Sequence, residues 1–318
     1  MLQHCCRGIH CIIPTAYSKK VIVRPSQKVL EPSINLHNVL MNNCSLSIEL
    51  YVESQKEFSN RVRSSDVIIF SGSYRNAIEV MEFCNPSVFI FCGAGINPIL
   101  IGYNQYDNNI VHSLVEARML NAGQDCICSD IIFIPAKEKD LWISKLSEKL
   151  VLVKQNSVVF NVAEVSKIVY QDVLEENSIT FAKNRKNIVF GGGINYKDSI
   201  IEPTIIYAEA KRLFAPREWF APIFYLVGYD NEIEVREWLL RPSVLKKAMY
   251  LSNYGFKAIN EKVKSYYVIL DRQTVLETEH PNKAFGGYGI EASFSAVKGQ
   301  ITSKPLLISE EIAYWSGA

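Results

Sequence analysis

Short apolar runs rich in Val, Ile and Phe recur along this 318-residue chain, and they leave few folds open. They are Val21-Ile22-Val23, Leu46 to Val52, Asp66 to Phe70, Val88 to Phe91, Ile131 to Ile134, Asn187 to Phe190, Glu202 to Tyr207 and Tyr266 to Leu270. Several show no polar alternation, which suits strands buried on both faces. Between them lie segments with helical spacing: one carrying Ile34, Leu36, Val39 and Leu40, one carrying Ile78, Val80 and Met81, then 137–150, 232–240 and 243–251. Strands alternating with helices in short units predict an α/β fold built on parallel sheets. The length allows two domains. We expect one α/β domain over 1–95, a second over 96–300, and a C-terminal strand and tail over 301–318. Pro305 is compatible with an edge strand over Lys304 to Ser309.

Charge and cysteine usage narrow the function classes. The net charge is +1, which gives no electrostatic footprint for nucleic acid or an anionic membrane surface. The most apolar region, Ser87 to Ile101, is interrupted by Gly93, Gly95, Asn97 and Pro98, so no membrane span is expected. Eight cysteines in a chain this long do not make a disulfide scaffold, and reduced thiols in a cytoplasmic setting are the default. His4, Cys5, Cys6, His10 and Cys11 match no standard zinc spacing, so no metal is expected.

The segment Asn121-Ala122-Gly123-Gln124-Asp125-Cys126 follows an amphipathic stretch, Asn108 to Leu120, and precedes the apolar run at Ile131. It reads as helix, Gly-containing loop and strand, with a thiol presented on the loop. Such a thiol is either a buried apolar side chain or a nucleophile activated by its surroundings. Cys128 reads as structural.

Seven segments in order carry a resemblance: Val21-Ile22-Val23-Arg24-Pro25-Ser26, Ile69-Phe70-Ser71-Gly72-Ser73, Gly95-Ile96-Asn97-Pro98, Asn121 to Cys126, Glu202-Pro203-Thr204, Glu218-Trp219-Phe220-Ala221-Pro222 and Phe285-Gly286-Gly287-Tyr288. Together they resemble the aldehyde dehydrogenase superfamily, which implies a partial Rossmann-like dinucleotide-binding domain over 1–95, a catalytic Cys domain over 96–300 and a C-terminal oligomerisation-type strand and tail over 301–318. The resemblance implies that Cys126 attacks a carbonyl, that hydride passes to NAD or NADP, and that a thioester remains on the sulfur. It implies that Gly72 and Ser73 receive the cofactor pyrophosphate at a helix N-terminus. Arg24 and Ser26 match the residues at the adenosine ribose. Glu218 matches the carboxylate on the nicotinamide ribose, with Phe220 beside the ring.

The sequence also departs from the family pattern. Counting from Asn97-Pro98, the position of the family's general-base Glu is Cys92, 126 − 92 = 34 residues before Cys126. General-base assistance is typically worth about 10²–10⁴-fold, so an acyl-thioester-linked reaction is easier to defend than hydrolysis. The alternative is a catalytically impaired binding or regulatory module. Arg24 replaces a Lys, and Ala77 stands where the family usually has Gly. The family's Pro-Trp-Asn segment, opening strand and dimer hairpin have no counterpart upstream of Arg24. The expected partners are therefore a small aldehyde or acyl thioester, with either a homo-oligomer or a second chain supplying N-terminal elements.

Overall fold

The computed structural model describes residues 11–155, 165–212, 217–280 and 282–317. His4, Cys5, Cys6 and His10 lie outside them. The strands in chain order are β1 (Val21–Val23), β2 (Ile48–Leu50), β3 (Val67–Ser71), β4 (Val88–Cys92), β5 (Pro98–Ile101), β6 (Ile131–Pro135), β7 (Ile188–Phe190), β8 (Ile194–Asn195), β9 (Ile200–Ile201), β10 (Thr204–Glu209), β11 (Ile223–Tyr229), β12 (Tyr250–Tyr254), β13 (Val268–Asp271), β14 (Ser293–Val297) and β15 (Gln300–Thr302). They belong to two compact units, one of Met1–Ala94, His280–Gly286 and Ile290–Ala318, the other of Gly95–Glu279 and Gly287–Gly289.

The first unit holds a four-stranded sheet in the order β15-β14-β4-β3. β3 and β4 are parallel, and β14 runs antiparallel to β4. A separate parallel pair joins β1 to β2. On one face of the larger sheet, helix Tyr74–Cys84 packs Ala77, Val80 and Cys84 against Phe89, Phe91 and Phe294. The other face is closed by Leu306, Ile308 and Ile312 over Val88, Ile90 and Cys92.

The second unit is a seven-stranded sheet in the order β13-β12-β5-β6-β11-β10-β7. All neighbours are parallel except β7, which is antiparallel to β10. Successive residues of a strand serve opposite faces. On β6, Ile131 and Phe133 pack with Leu174, Phe181, Val235 and Trp238. Ile132 and Ile134 pack with Val111, Leu114, Trp142 and Leu146. Helices cover both faces, so the continuous apolar runs are accounted for. Among the described residues no helix is long and apolar enough to cross a membrane.

Two expected elements are different. The helix expected over 243–251 ends at Leu245, and Tyr250–Tyr254 is β12. The segment Ala248 to Leu251 is enclosed on both sides, and β12 pairs with both β5 and β13. A strand buried this way shows no period-two signature. The strand expected over 304–309 is also corrected. One bridge joins Phe285 to Leu306, and Ile308–Ser316 is a helix ending at Gly317 in the left-handed region (φ 76°). Ile308, Ile312 and Trp315 recur at helical spacing and pack on β4, which favours the helix.

Trp142 is fully enclosed, meets Tyr106 edge-on at 5.6 Å, and donates from Nε1 to Glu138 at 3.2 Å. Trp142→Ala is expected to cost about 3–5 kcal/mol, read as a lower denaturation midpoint at unchanged m-value.

Candidate active site

The loop bearing Cys126 is built from strained backbone held by a buried cation. Asn121, Ala122 and Gly123 occupy positive φ in succession (49°, 52° and 76°). Ala122 has no compensating freedom there, and non-Gly residues persist in that region only where surroundings impose it. A Cβ at Gly123 would fall 2.4 Å from the Ala221 carbonyl oxygen, so the close approach itself requires glycine.

Arg118 imposes that backbone. It ends the helix Asn108–Met119 and is fully buried. Its Nη2 donates to the carbonyls of Gly123 and Ala221, both at 2.7 Å, and its Nη1 donates to Ser129 at 2.7 Å. Asp130 supplies the counter-charge at 3.5 Å. Asn97, 3% exposed, is the second clamp. Its Nδ2 donates to the carbonyls of Cys126 at 2.8 Å and Cys128 at 3.2 Å, and its N–H donates to Asp130 Oδ2 at 3.2 Å. Gln124 adds a third clamp, donating to Lys167 O at 2.9 Å and accepting from Val169 N at 2.7 Å.

The two thiols on this loop are unlike. Cys126 is half-buried, and its Sγ lies 3.7 Å from Asp125 Oδ1 as a donor. Burial raises the Asp125 carboxyl above its ordinary value, although it also accepts from Ile127 N at 3.1 Å. Cys128 is sealed, donates to Leu120 O at 3.7 Å, and is pushed up to about 12 by burial. A thiol raised so far supplies no thiolate near neutral pH.

Glu218 and Phe220 lie on the segment that Arg118 ties to this loop through Ala221. Trp219 anchors it by donating from Nε1 to Asp130 O at 2.8 Å. Phe220 sits at φ 46° with its ring edge-on to Tyr170 at 6.2 Å. Gly95 N–H bonds the Glu218 carboxyl group, while Oε1 is enclosed with no hydrogen-bond partner among the described residues. Burial raises the Glu218 carboxyl well above the usual range, and the Asp130 charge raises it further. Burial likewise lifts Asp130 to about 7, against the pull of Arg118.

The other expected residues belong to the first unit. Arg24 donates from Nε to Glu53 O at 2.9 Å, and Ser26 Oγ accepts from Lys28 N at 3.4 Å. Gly72 N donates to Cys92 O at 3.2 Å, and Ser73 caps helix Tyr74–Cys84 by accepting from Asn76 N at 3.3 Å. Cys92 ends β4, 8% exposed, among Ile90, Leu306, Ile308 and Ile312. Among the described residues no cluster of His, Cys, Asp or Glu could hold a metal ion.

Sequence reasoning missed Arg118, Asp130 and the clamping role of Asn97. A signal existed: Arg118 falls on the stripe of Ile110, Val111, Leu114 and Val115, where a charge has no place unless paired.

Parallel sheets covered by helices, with a clamped thiol loop leading into a central strand, define a Cys-bearing α/β protein. The aldehyde dehydrogenase family profile matches residues 53–253, and the chain belongs to that family. It is 24% identical over 208 residues to the succinate-semialdehyde dehydrogenase [NADP(+)] 2 of Schizosaccharomyces pombe, covering 64% of this chain and 42% of that one. Two solved structures share the fold. One is the substrate-bound AldH of Staphylococcus aureus (TM-score 0.70, 19% identity, 86% of this chain and 61% of that one). The other is the Mycobacterium tuberculosis aldehyde dehydrogenase complexed with NAD+ (TM-score 0.67, 15% identity, 91% and 64%). The chain thus spans about two-fifths of the length of the first curated relatives it matches.

Two measurements test this geometry. Arg118→Met leaves Asp130 buried without its partner, and breaking such a pair is expected to cost about 3–5 kcal/mol in chemical denaturation. The second is a pH dependence. A carboxyl whose folded value is raised contributes full stability below its unfolded value, and that contribution is lost as pH rises through the folded one. Asp130 should therefore lower stability as pH climbs from about 4 through about 7, and Glu218, also raised, acts in the same direction. Glu218→Gln should raise the melting temperature more at about pH 8 than at about pH 5; an equal effect at both would count against the raised carboxyl.

Proposed function

We propose that this chain carries the thiol half-site of an aldehyde-dehydrogenase-type oxidoreductase, with Cys126 as its nucleophile. What supports this most is the contrast on one loop: Cys126 stays half-exposed on backbone clamped by Arg118, Asn97 and Gln124, while Cys128 is sealed. Cys126 Sγ adds to the carbonyl carbon of a small aldehyde or acyl thioester. Asp125 Oδ1, 3.7 Å from the sulfur, is the acceptor within reach of the thiol proton. From an aldehyde adduct, loss of the carbonyl hydrogen as hydride leaves a thioester on the sulfur; from an acyl thioester, the original thiol departs with its proton and the acyl group passes to Cys126 with no hydride moved.

NAD or NADP supplies the hydride acceptor when bound. The enclosed Glu218 Oε1 fits that group, because an acceptor without a donor suits a ribose hydroxyl. Phe220 would lie beside the ring. Gly72 and Ser73 lead into the N-terminus of helix Tyr74–Cys84, with Ser73 as its cap, a setting that suits a pyrophosphate. Arg24 and Ser26 would face the adenosine ribose, although Arg24 Nε already serves Glu53 O.

Thioester release to another thiol fits these residues better than hydrolysis. Cys92 holds the position of the family's base, and a thiol packed among apolar side chains does not activate water. That same packing favours the second reading, a nucleotide-binding module without turnover.

Intact-mass spectrometry after exposure to an acyl thioester is the test. One acyl group should appear on the wild type and none on Cys126→Ala; identical spectra would sink the catalytic reading. Either cofactor should still raise the melting temperature if only the module reading holds.

A further inference from the structure

The inner face of helix Gln171–Asn184 is polar where a core-facing stripe is ordinarily apolar. Leu174 and Phe181 join the core as expected, yet Asn177 is fully buried, Asn184 is 7% exposed and Thr180 is half-buried between them. Their spacing places all three on one side of the helix. Buried polar side chains need partners, and here two of them converge on one cation. Arg217 donates from Nη1 to Thr180 Oγ1 at 3.2 Å and from Nη2 to Asn177 Oδ1 at 3.1 Å. Its guanidinium lies over the Trp219 ring at 4.4 Å. Its Nε is enclosed without a hydrogen-bond partner, and no carboxylate lies within ion-pair distance of it among the described residues. Burial accordingly lowers its affinity for its proton.

Beside this guanidinium is a cavity of about 360 Å³, walled by the rings of Trp219, Tyr225 and Trp238 and by Lys183. That volume lies in the lower part of the roughly 300–1,000 Å³ typical of small-ligand sites. Asp130 also borders it, but its oxygens already accept from Arg118, Asn97 N and Trp219 N. We infer that this cavity binds a small carboxylate with a flat apolar body. The carboxylate meets Arg217 and Lys183, and the body lies against the aromatic rings. Arg217 is half-buried, its hydrogen-bond partners are neutral, and Glu176 and Asp130 act on it only beyond ion-pair distance; a directly bonded anion adds a charge-assisted pair, roughly twice as strong as a neutral one. Cys126 is not on the cavity wall, although Asp130 and Trp219, which support the thiol loop and the Glu218 segment, are.

Benzoate is the probe, because it combines a carboxylate with one flat ring. Two of the chain's four tryptophans line the cavity, so their fluorescence reports filling. Wild type should show saturable quenching, and Cys126→Ser should bind equally. Arg217→Gln should weaken binding roughly ten- to hundred-fold, as expected for a lost charged hydrogen bond. Lys183→Gln, an exposed change that the fold tolerates, should weaken it several-fold less. If Arg217→Gln does not fold, Arg217→Lys replaces it, since an ammonium cannot keep the fork to Thr180, Asn177 and ligand together. Absence of saturable quenching in wild type, or unchanged affinity in the Arg217 variant, overturns the inference.

Discussion

The buried guanidinium of Arg118 is the interaction on which the site depends. Burying an ion is costly, and the cost is tolerated only where charge and hydrogen bonds are both met. Arg118 meets three carbonyls and one carboxylate, drawn from the Gly123 turn, the start of β6 and the segment after Glu218. It thereby fixes three stretches of chain that secondary structure alone would leave independent. The left-handed backbone at Asn121 and Ala122 persists because moving it would strand a cation with no solvent to turn to.

That arrangement has an electrostatic consequence. Arg118 and, beyond it, Lys247 act on two carboxyl groups, and Asp130 raises Glu218 as burial raises both. Ionising both carboxyls brings like-charge repulsion in a poorly solvated setting. A carboxyl held toward its neutral form can donate as well as accept. On the proposed reading, that suits Glu218, with Oε1 enclosed and unpartnered among the described residues, to a hydroxyl-bearing ligand. The two thiols differ in solvent access: Cys126 is half-exposed beside Asp125, whereas Cys128 is sealed, and its burial outweighs the nearby Arg118.

Most strands were legible because their apolar runs are compact and flanked by Gly, Pro or Asn. Two misread segments have different causes. Over 243–251 a central strand enclosed on both faces carries no period-two pattern, and Pro242 and Leu245 do form a helical turn first. Over 304–309 the apolar residues before Ser309 look like a strand until Ile312 and Trp315 extend them at helical spacing. The motif residues of the site were readable as motifs, but their supports were not. Asp130 and Arg118 are neighbours only through tertiary structure, and a single charge on an apolar stripe was the one trace left in the sequence.

The placement of Cys92 bears most on chemistry. A thioester on sulfur is resolved either by water, which needs a base, or by a thiol, which is already nucleophilic as its anion. Cys92 ends β4 and packs with Ile90, Leu306, Ile308 and Ile312. On the proposed reading, a thiol at position 92 in place of the family's carboxylate leaves transfer of an acyl group on Cys126 to another thiol easier to defend than release to water.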